Sequence, residues 1–257
     1  MNYYNEFDPF AAAWLRELIS RNLIPNGHVD TRSITDVRPS DIEGYTQCHF
    51  FAGIGGWSRA LELAGWPSDR PVWTGSCPCQ PFSVIGRQEG ESDTRHLWPV
   101  FAGLIRERKP PVVFGEQVAS EAGRNWFCGV RSDLEEMGYA AGGADLCAAG
   151  IGAPHIRQRI YWVGVSGDKG LEGHTRHGIQ QHEQGRVETQ QDRPTPAPDG
   201  PFWDGEWLAC SDGRKRKHRP EIPLLAYGIP ARVGRLRGYG NAIVPHLASE
   251  FIQALLP

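Results

Sequence analysis

The stretch TQCHFFAGIGGWSRALELAG, residues 46–65, determines how the rest of the sequence is interpreted. TQCHFFAG predicts a buried strand that runs into a glycine-rich turn, and WSRALELAG predicts the helix that follows it. Gly65 and Pro67 mark the end of that helix, because glycine favours the left-handed C-terminal position and proline cannot continue the helix. The stretch therefore indicates a strand, turn and helix unit of an α/β protein.

The same alternation of strands and helices continues on both sides of this unit. In DPFAAAWLRELISRN, Asp8 is an N-cap and Pro9 takes the first helical position, and in the closing GYGNAIVPHLASEFIQALLP a helix opens at Pro245. Strands are predicted at PVWTG and PVVFGE, with a helix from about Leu97 to Arg108 between them. A helix at VRSDLEEMG and two strands bracketing a loop in ADLCAAGIGAPHIRQRIYWVGV follow. Through about residue 165 this alternation predicts a parallel sheet with helices on both faces.

Composition excludes several classes of protein. With 257 residues and 40% hydrophobic content, the chain can bury the core of one large domain, or of one domain and a small module. The sequence has no signal-peptide pattern at its start and no apolar run long enough to span a membrane, so we expect a soluble, intracellular protein. Six irregularly spaced cysteines predict reduced thiols. The net charge of −3 indicates no global attraction to nucleic acid.

The composition changes after about Ser166. Residues 166–200 are rich in Gly, Gln, His and Arg and nearly free of large apolar side chains, which predicts a long loop or insert. Three histidines in it, His174, His177 and His182, have no accompanying cysteines, which favours a solvent-exposed surface over a metal site. The basic run GRKRKHRP, residues 213–220, is either a solvated face or a contact to phosphate groups.

The stretch GSCPCQPFS, residues 75–83, predicts a reactive thiol. Its cysteine spacing fits neither a paired C-x-x-C zinc site nor the H-x-E with P-C-x-x-C pattern of zinc deaminases. Cys79 follows a predicted strand, and Pro78 and Pro81 hold its backbone extended. An inert buried thiol would not need this support, so Cys79 is the candidate nucleophile, whereas Cys77 is interpreted as a packing residue.

Five motifs in this order resemble those of the DNA (cytosine-5) methyltransferases. They are the cofactor loop FAGIGG at 51–56, the nucleophile motif PCQPFS at 78–83, GEQV at 115–118, PHIRQR at 154–159 and GYGNAIVP at 238–245. Gln117, His155 and Gly238 stand where the family usually has Asn, Gln and Gln. The resemblance implies an α/β fold, a Rossmann-like sheet of S-adenosylmethionine-dependent methyltransferases.

The resemblance also implies a rearranged motif order. About twenty residues separate Gly56 from Pro78, too few for the family's two cofactor strands. NYYNEFDPFAAAW and GHVDTRSITDVRPSDIEGY resemble those segments but precede the glycine loop. The family strand order 3-2-1-4-5-7-6 permits this without a knot, because strands 2 and 3 form one edge. The alternative is that residues 1–45 are an unrelated helical extension.

The domain expectation follows from this mapping. We expect a catalytic and cofactor-binding domain at 1–165 plus 238–257 and a short target-recognition region at 166–237. The polar stretch VIGRQEGESDTRH, residues 84–96, is interpreted as a loop that could close over the target base.

The family cofactor is S-adenosylmethionine, and its contacts are carried over residue by residue. Glu6 would accept hydrogen bonds from the ribose hydroxyls, and Phe7 would lie against the adenine ring. The adenine amino group would be contacted by Ser33, by Asp30 or by backbone. The implied cofactor residues are Glu6, Phe7, Ser33, Ile34, Phe51, Gly53, Ile54, Gly55, Gly56, Asn241 and Ala242. The turn is not G-x-G-x-x-G, which disfavours nicotinamide cofactors.

The implied catalytic residues are Cys79, Glu116, Arg157 and Arg159. Cys79 would add to C6 of cytosine, and Glu116 would protonate or hydrogen-bond N3. Arg157 and Arg159 would orient the base and Glu116, or would form structural ion pairs.

The implied partner is double-stranded DNA, with the target base swung out of the helix, and neither a metal nor a membrane is expected. The expected location is the cytoplasm of a bacterial or phage-infected cell. Three alternatives stay open: an RNA cytosine-5 methyltransferase, a catalytically idle DNA-binding homologue, and an enzyme that transfers a group other than methyl.

Overall fold

The computed structural model describes residues 1–78, 97–153, 155–167, 206–209, 215–218, 238 and 240–256, and for 206–209 and 215–218 only the backbone. Several sequence-based predictions lie outside these residues. They concern Cys79, the loop 84–96, the three histidines of the polar stretch and most of the region 166–237. Within the described part, every helix is too short or too polar to cross a bilayer.

The described chain alternates strands with helices. In chain order the elements are β1 (Asn2–Asn5), α1 (Pro9–Ser20), β2 (Gly27–Asp30), β3 (Gln47–Phe50), α2 (Gly56–Leu63), β4 (Val72–Gly75), α3 (Trp98–Arg108), β5 (Val112–Val118), α4 (Glu121–Glu136), β6 (Tyr139–Cys147), β7 (Gln158–Ser166), β8 (Glu206–Ala209), β9 (Lys215–His218) and α5 (Pro245–Gln253). As predicted, Asp8 caps α1 by accepting hydrogen bonds from the Phe10 and Ala11 amides at 2.9 and 3.1 Å. Pro245 opens α5, again as predicted.

Seven strands form one sheet in the order β2-β1-β3-β4-β5-β7-β6, and β8 pairs with β9 separately. This is the order that the rearranged interpretation predicts, with the two N-terminal strands at one edge. β1 pairs in parallel with β2 on one side and with β3 on the other. Residues 1–45 are therefore part of the sheet, and the alternative of an unrelated helical extension is excluded.

The predicted parallel sheet is confirmed for β1 to β5, whereas β7 makes the sheet mixed. β7 runs antiparallel to both β5 and β6. The connection from Cys147 to Gln158 holds only a short 3-10 turn at Ala148–Ile151. A parallel neighbour would need a longer crossover, usually with a helix, whereas antiparallel strands can follow each other directly. The start of β7 consequently lies at the edge where the parallel strands end.

Two elements begin earlier in the chain than predicted. α4 starts at Glu121, because the Ser120 hydroxyl accepts a hydrogen bond from the Gly123 amide at 3.0 Å and caps the helix. β6 starts at Tyr139, directly after that helix. The predicted helix VRSDLEEMG covered only the last turns of α4, although the capping residue Ser120 is visible in the sequence.

The apolar core lies on both faces of the sheet. On one face α3 packs through Phe101, whose ring centroid is 4.9 Å from that of Phe50. On the other face Trp57 of α2 and Phe251 of α5 contact the ring of Phe114 on β5. Helices therefore cover both faces of the sheet, and the loops lie at the ends of its strands.

A buried histidine interrupts the apolar face beneath α1 and α2. His49 lies in register between Tyr4 on β1 and Thr74 on β4. Its Nδ1 is 2.9 Å from the Thr74 hydroxyl, and its ring stacks on Tyr4 with centroids 5.0 Å apart. Because burial disfavours the charged imidazolium, the pKa of His49 falls to about 3.

This burial predicts acid sensitivity. Below about pH 6.5 the unfolded chain protonates His49, whereas the folded protein does not until about pH 3, so folding stability is lost as pH falls through that window. We expect protonation of His49 in the unfolded chain to lower the free energy of unfolding by about 1.4 kcal/mol for each unit by which the pH falls within this window. The free energy of unfolding, measured by urea denaturation at several pH values, should have a shallower slope against pH in His49→Leu than in the wild type. Equal slopes for wild type and His49→Leu would contradict the burial.

The closing segment packs against the start of α2 at Gly56. A Cβ atom placed on Gly56 would lie 2.7 Å from Cγ1 of Ile243, closer than real side chains approach. The absence of a side chain at this position therefore allows the segment before α5 to lie directly on the glycine turn.

Substitution of this glycine tests the contact. We expect Gly56→Ala to lower the free energy of unfolding by about 1–3 kcal/mol, because Ile243 has to move. Gly129 on α4 is the matched control, since a Cβ there meets nothing within 4 Å. Gly129→Ala should stabilise the protein by about 0.5–1 kcal/mol through its better helix propensity. Similar urea unfolding curves for both variants would refute the close approach.

Candidate active site

A cavity of about 720 Å³ opens at the edge where the parallel strands end. The strands β1 to β4 contribute residues that follow them, β5 contributes its last residues, and β7 contributes residues at its start. The lining includes Glu6 after β1, Ser33 after β2, Gly53 after β3, Pro78 after β4, Glu116 on β5 and Arg159 on β7. Ligands of open α/β sheets bind at this edge, so the cavity is the candidate site.

Most of the residues singled out from the sequence meet in this cavity. Those that line it are Glu6, Phe7, Ser33, Ile34, Phe51, Gly53, Ile54, Glu116, Arg157, Arg159 and Asn241. Gly55, Gly56 and Ala242 instead line a second cavity of about 920 Å³, which shares Ile54 and both arginines with the first. Cys79 lies outside the described residues, and the chain reaches Pro78 at the cavity wall one residue before it.

The glycine turn is tied to the end of β1 by a carboxylate. Oε2 of Glu6 accepts a hydrogen bond from the Gly53 amide at 2.6 Å, and Oε1 accepts one from the Asp8 amide at 2.8 Å. Gly53 has a φ of +57°, in the left-handed region that glycine adopts without strain. The N-terminal segment and the glycine turn thus form one wall of the cavity.

Phe51 and Phe7 give this wall an aromatic character. Phe51 adopts a φ of 51°, a conformation that costs a non-glycine residue about 1 kcal/mol or more and that clusters at functional sites. The Phe7 side chain is 71% exposed although it lines the cavity. A flat apolar ring beside the fixed Glu6 carboxylate suits a ligand that has both an aromatic base and hydroxyl groups.

The two candidates for the adenine contact differ in their surroundings. Asp30 is buried beneath the wall, where it accepts hydrogen bonds from the Tyr3 hydroxyl at 2.7 Å and from Arg32 Nη2 at 2.7 Å. Burial would raise the pKa of Asp30, but the hydrogen bonds from Arg32 and Tyr3 outweigh it and lower this pKa to about 2. Ser33 and Ile34 line the cavity, whereas Asp30 does not. The geometry therefore favours Ser33 over Asp30.

Glu116 is a carboxylic acid held out of water. Its side chain is buried, and this burial raises its pKa, while the positive charges of Arg159 and Arg157 act in the opposite direction. Nε of Arg159 lies 2.8 Å from Oε1 of Glu116, although its N–H does not point along a hydrogen bond to that oxygen. The pair is therefore an ion pair whose hydrogen-bonding capacity is not fully used.

Arg157 makes a different set of contacts from those the sequence led us to expect. Its Nη1 and Nη2 donate to the carbonyl of Gly240, each at 3.0 Å, and Nη2 also donates to the carbonyl of Ala242 at 2.7 Å. The residue predicted to orient the base thus holds the backbone on both sides of Asn241.

Two contacts to the segment that leads to Cys79 were missed from the sequence. The indole N–H of Trp57 donates to the Ser76 hydroxyl at 2.9 Å, and the amide of Gln117 donates to the Cys77 carbonyl at 3.4 Å. Nothing in the sequence assigned Trp57 to this contact, and Gln117 was identified only as a departure from the family pattern. Burial raises the pKa of the Cys77 thiol, which agrees with a packing role.

Metal ligation finds no support in the part of the chain that the structure describes, where no three His, Cys, Asp or Glu side chains cluster suitably. The cavity instead offers one buried acid, two arginines and a wall suited to an aromatic ligand. This arrangement can bind an organic cofactor and exchange a proton with a substrate beside it.

Comparison with known proteins identifies the family of the chain. The sequence model of the family described as C-5 cytosine-specific DNA methylase matches residues 67–219. The chain is 27% identical over 176 residues to Type II methyltransferase M.HhaI of Haemophilus parahaemolyticus, covering 53% of this chain and 54% of that protein. It is 33% identical over 151 residues to Type II methyltransferase M.SsoII of Shigella sonnei, covering 56% and 40% respectively.

A solved structure of S. pombe Dnmt2 methyltransferase is also similar, at 16% identity and a TM-score of 0.41, covering 66% of this chain and 52% of that one. The chain spans about half or less of the length of the curated relatives named above. Because the family model covers more than half of the 257 residues, the chain belongs to the C-5 cytosine-specific DNA methylase family.

Proposed function

We propose that this protein transfers a methyl group from S-adenosylmethionine to C5 of cytosine in double-stranded DNA. One observation carries the proposal. A single cavity is lined by the buried acid Glu116, by the segment that leads to Cys79 and by the Glu6 and Phe7 wall. This reaction needs three groups within reach of each other: an acid, a nucleophile and a surface that binds adenosine.

The residues of the wall suit the cofactor. Phe7 offers its exposed ring to the adenine, and the Glu6 carboxylate, held in place by hydrogen bonds from the Asp8 and Gly53 amides, is an acceptor suited to the ribose hydroxyls. Gly53, in its left-handed conformation, allows the backbone to approach the ligand, and Asn241 lies across the cavity. When bound, S-adenosylmethionine supplies a methyl group activated by a positively charged sulfur.

Cys79 is proposed to activate the cytosine. Its thiolate adds to C6, and the electrons of the C5–C6 double bond move toward C5, which gains the character of an enamine. Glu116 gives a proton to N3, so that negative charge does not accumulate on the ring. After methylation a water molecule takes the proton from C5, the C5–C6 double bond re-forms as the thiolate leaves, and N3 returns its proton to Glu116. The enzyme is thereby returned to its starting state.

The environment of Glu116 supports its role as an acid. Burial raises its pKa, which keeps part of the population protonated nearer to neutral pH than an exposed glutamate would be. The ion pair with Arg159 limits this rise and fixes the carboxyl group beside the place of the base. The same site can therefore give up the proton and take it back.

DNA recognition is proposed for the remainder of the chain. A cytosine inside a duplex is stacked, so it has to be turned out of the helix to reach a cavity of this kind. We assign residues 1–165 and 238–257 to catalysis and cofactor binding, and residues 166–237 to target recognition. The antiparallel pair β8 and β9 belongs to the latter region, and β9 contains the basic sequence KRKH.

Bisulfite sequencing of DNA from cells that express the protein tests the proposal directly. We expect 5-methylcytosine at a recurring sequence that is unmodified in cells expressing Cys79→Ser. Methylation confined to transcripts would indicate an RNA substrate, and intact-mass analysis of the nucleosides would reveal any group other than methyl. Unmodified DNA and RNA would refute the proposed activity.

A covalent trap tests the nucleophile. Duplex DNA containing 5-fluorocytosine should form a stable adduct with the wild type in the presence of S-adenosylmethionine, because fluorine at C5 cannot leave as a proton. Cys79→Ser should abolish the adduct on denaturing gels. Cys77→Ser and the exposed Cys128→Ser are the matched controls and should retain it. An adduct that persists in Cys79→Ser would assign the chemistry to another residue.

Substitution of the acid should separate chemistry from binding. We expect Glu116→Gln to lower kcat by about 10²- to 10⁴-fold, because an amide cannot transfer the proton to N3. Calorimetry should show the same affinity for S-adenosylhomocysteine as the wild type. Glu121→Gln, at the exposed start of α4, should leave both quantities unchanged. An unchanged kcat in Glu116→Gln would exclude the proton-transfer role.

A further inference from the structure

We propose that Arg157 is a positioning residue for the segment 240–244, which contributes to the cofactor site, and that it connects this segment to the Glu116 and Arg159 pair. The proposal rests on the proposed function, since it concerns the cofactor of that reaction. It differs from the role suggested by the sequence, in which Arg157 orients the target base.

The hydrogen bonds of Arg157 carry the first step. Its guanidinium donates to two carbonyls, those of Gly240 and Ala242, at distances between 2.7 and 3.0 Å. These residues flank Asn241, which lines the cavity. The planar guanidinium has its N–H groups in a rigid fork that fixes two carbonyl groups relative to each other, whereas the ammonium of a lysine sits on a flexible stem and imposes no such geometry. Arg157 therefore sets the path of the backbone on both sides of Asn241.

The surroundings of this segment carry the second step. The Ala242 amide donates to the Gly238 carbonyl at 3.0 Å, which closes a tight turn around Asn241. The next residue, Ile243, rests on the glycine turn at Gly56. Within the described residues, the segment thus has Arg157 on one side and the glycine turn on the other. Loss of the guanidinium contacts would free the segment 240–244 on the side of Arg157 and leave its contact with the glycine turn.

The position of Arg157 carries the third step. It lines both cavities, together with Arg159, and it lies close enough to Glu116 to influence the pKa of that acid. Arg159 forms the ion pair with Glu116, whereas Arg157 takes its hydrogen-bond partners from the closing segment. The two arginines of the motif therefore have different partners: Arg159 contacts the acid, and Arg157 contacts the segment 240–244.

Because the two arginines have different partners, replacing each by lysine should have different effects. In calorimetry with S-adenosylhomocysteine and no DNA, Arg157→Lys should raise Kd by about 10- to 100-fold, through the loss of charge-assisted hydrogen bonds. Arg159→Lys should change Kd by less than about twofold while lowering kcat. The matched control is Arg106→Lys, at an exposed position on α3, which should behave as the wild type.

Hydrogen exchange of the folded protein separates positioning from general stabilisation. In Arg157→Lys we expect faster exchange at the amides of residues 240–244, with β1 and β3 unchanged. Faster exchange throughout the sheet, or an unchanged Kd in Arg157→Lys, would overturn the proposal. If the wild type does not bind S-adenosylhomocysteine at all, the proposed function fails, whereas wild-type binding with equal affinities for both lysine variants refutes only the role of Arg157.

Discussion

The parallel pairing of β1 between β2 and β3 is the constraint on which the site depends. Asn5 lies in register with Asp30 on one side and with Phe50 on the other, so all three strands end at the same level. The residues that follow them meet there without any further element to guide them. The Glu6 carboxylate completes this arrangement by accepting the Gly53 amide at 2.6 Å, which joins two segments that are 47 residues apart. Were this pairing lost, the cavity would lose the wall formed by the N-terminal segment and the glycine turn.

The reversal of β7 supplies the other half of the cavity. Because β7 is antiparallel to β5, its first residues lie opposite the last residues of β5, and Arg159 pairs in register with Val118. The arginines thereby reach Glu116, which is buried, and Arg159 forms an ion pair with it. A buried acid next to an arginine has a pKa set by two opposing effects, and this balance makes it suitable for reversible proton transfer.

The order of segments along the chain matters less for such a site than their order in the sheet. The strands that carry Glu6 and Ser33 precede the glycine turn in sequence but occupy the sheet edge next to it. Contacts between neighbouring strands depend on register and hydrogen bonding, not on which strand was made first. Two strands that come first in the chain can therefore form this cavity wall, provided that the connections neither cross nor thread.

Apolar periodicity and capping residues in the sequence predicted most of the strands and helices and the glycine turn, because these are local signals. The strand order and most of the cavity lining were implied by the resemblance of the motifs to a known family. Only the tertiary structure decided that β7 runs antiparallel, that Asp30 is committed to Tyr3 and Arg32, and that Arg157 holds the closing segment. Each of these depends on which polar groups meet after the chain has folded. A motif specifies that an arginine or an aspartate is present, whereas its partner is set by packing between residues far apart in sequence, and no local pattern records that distance.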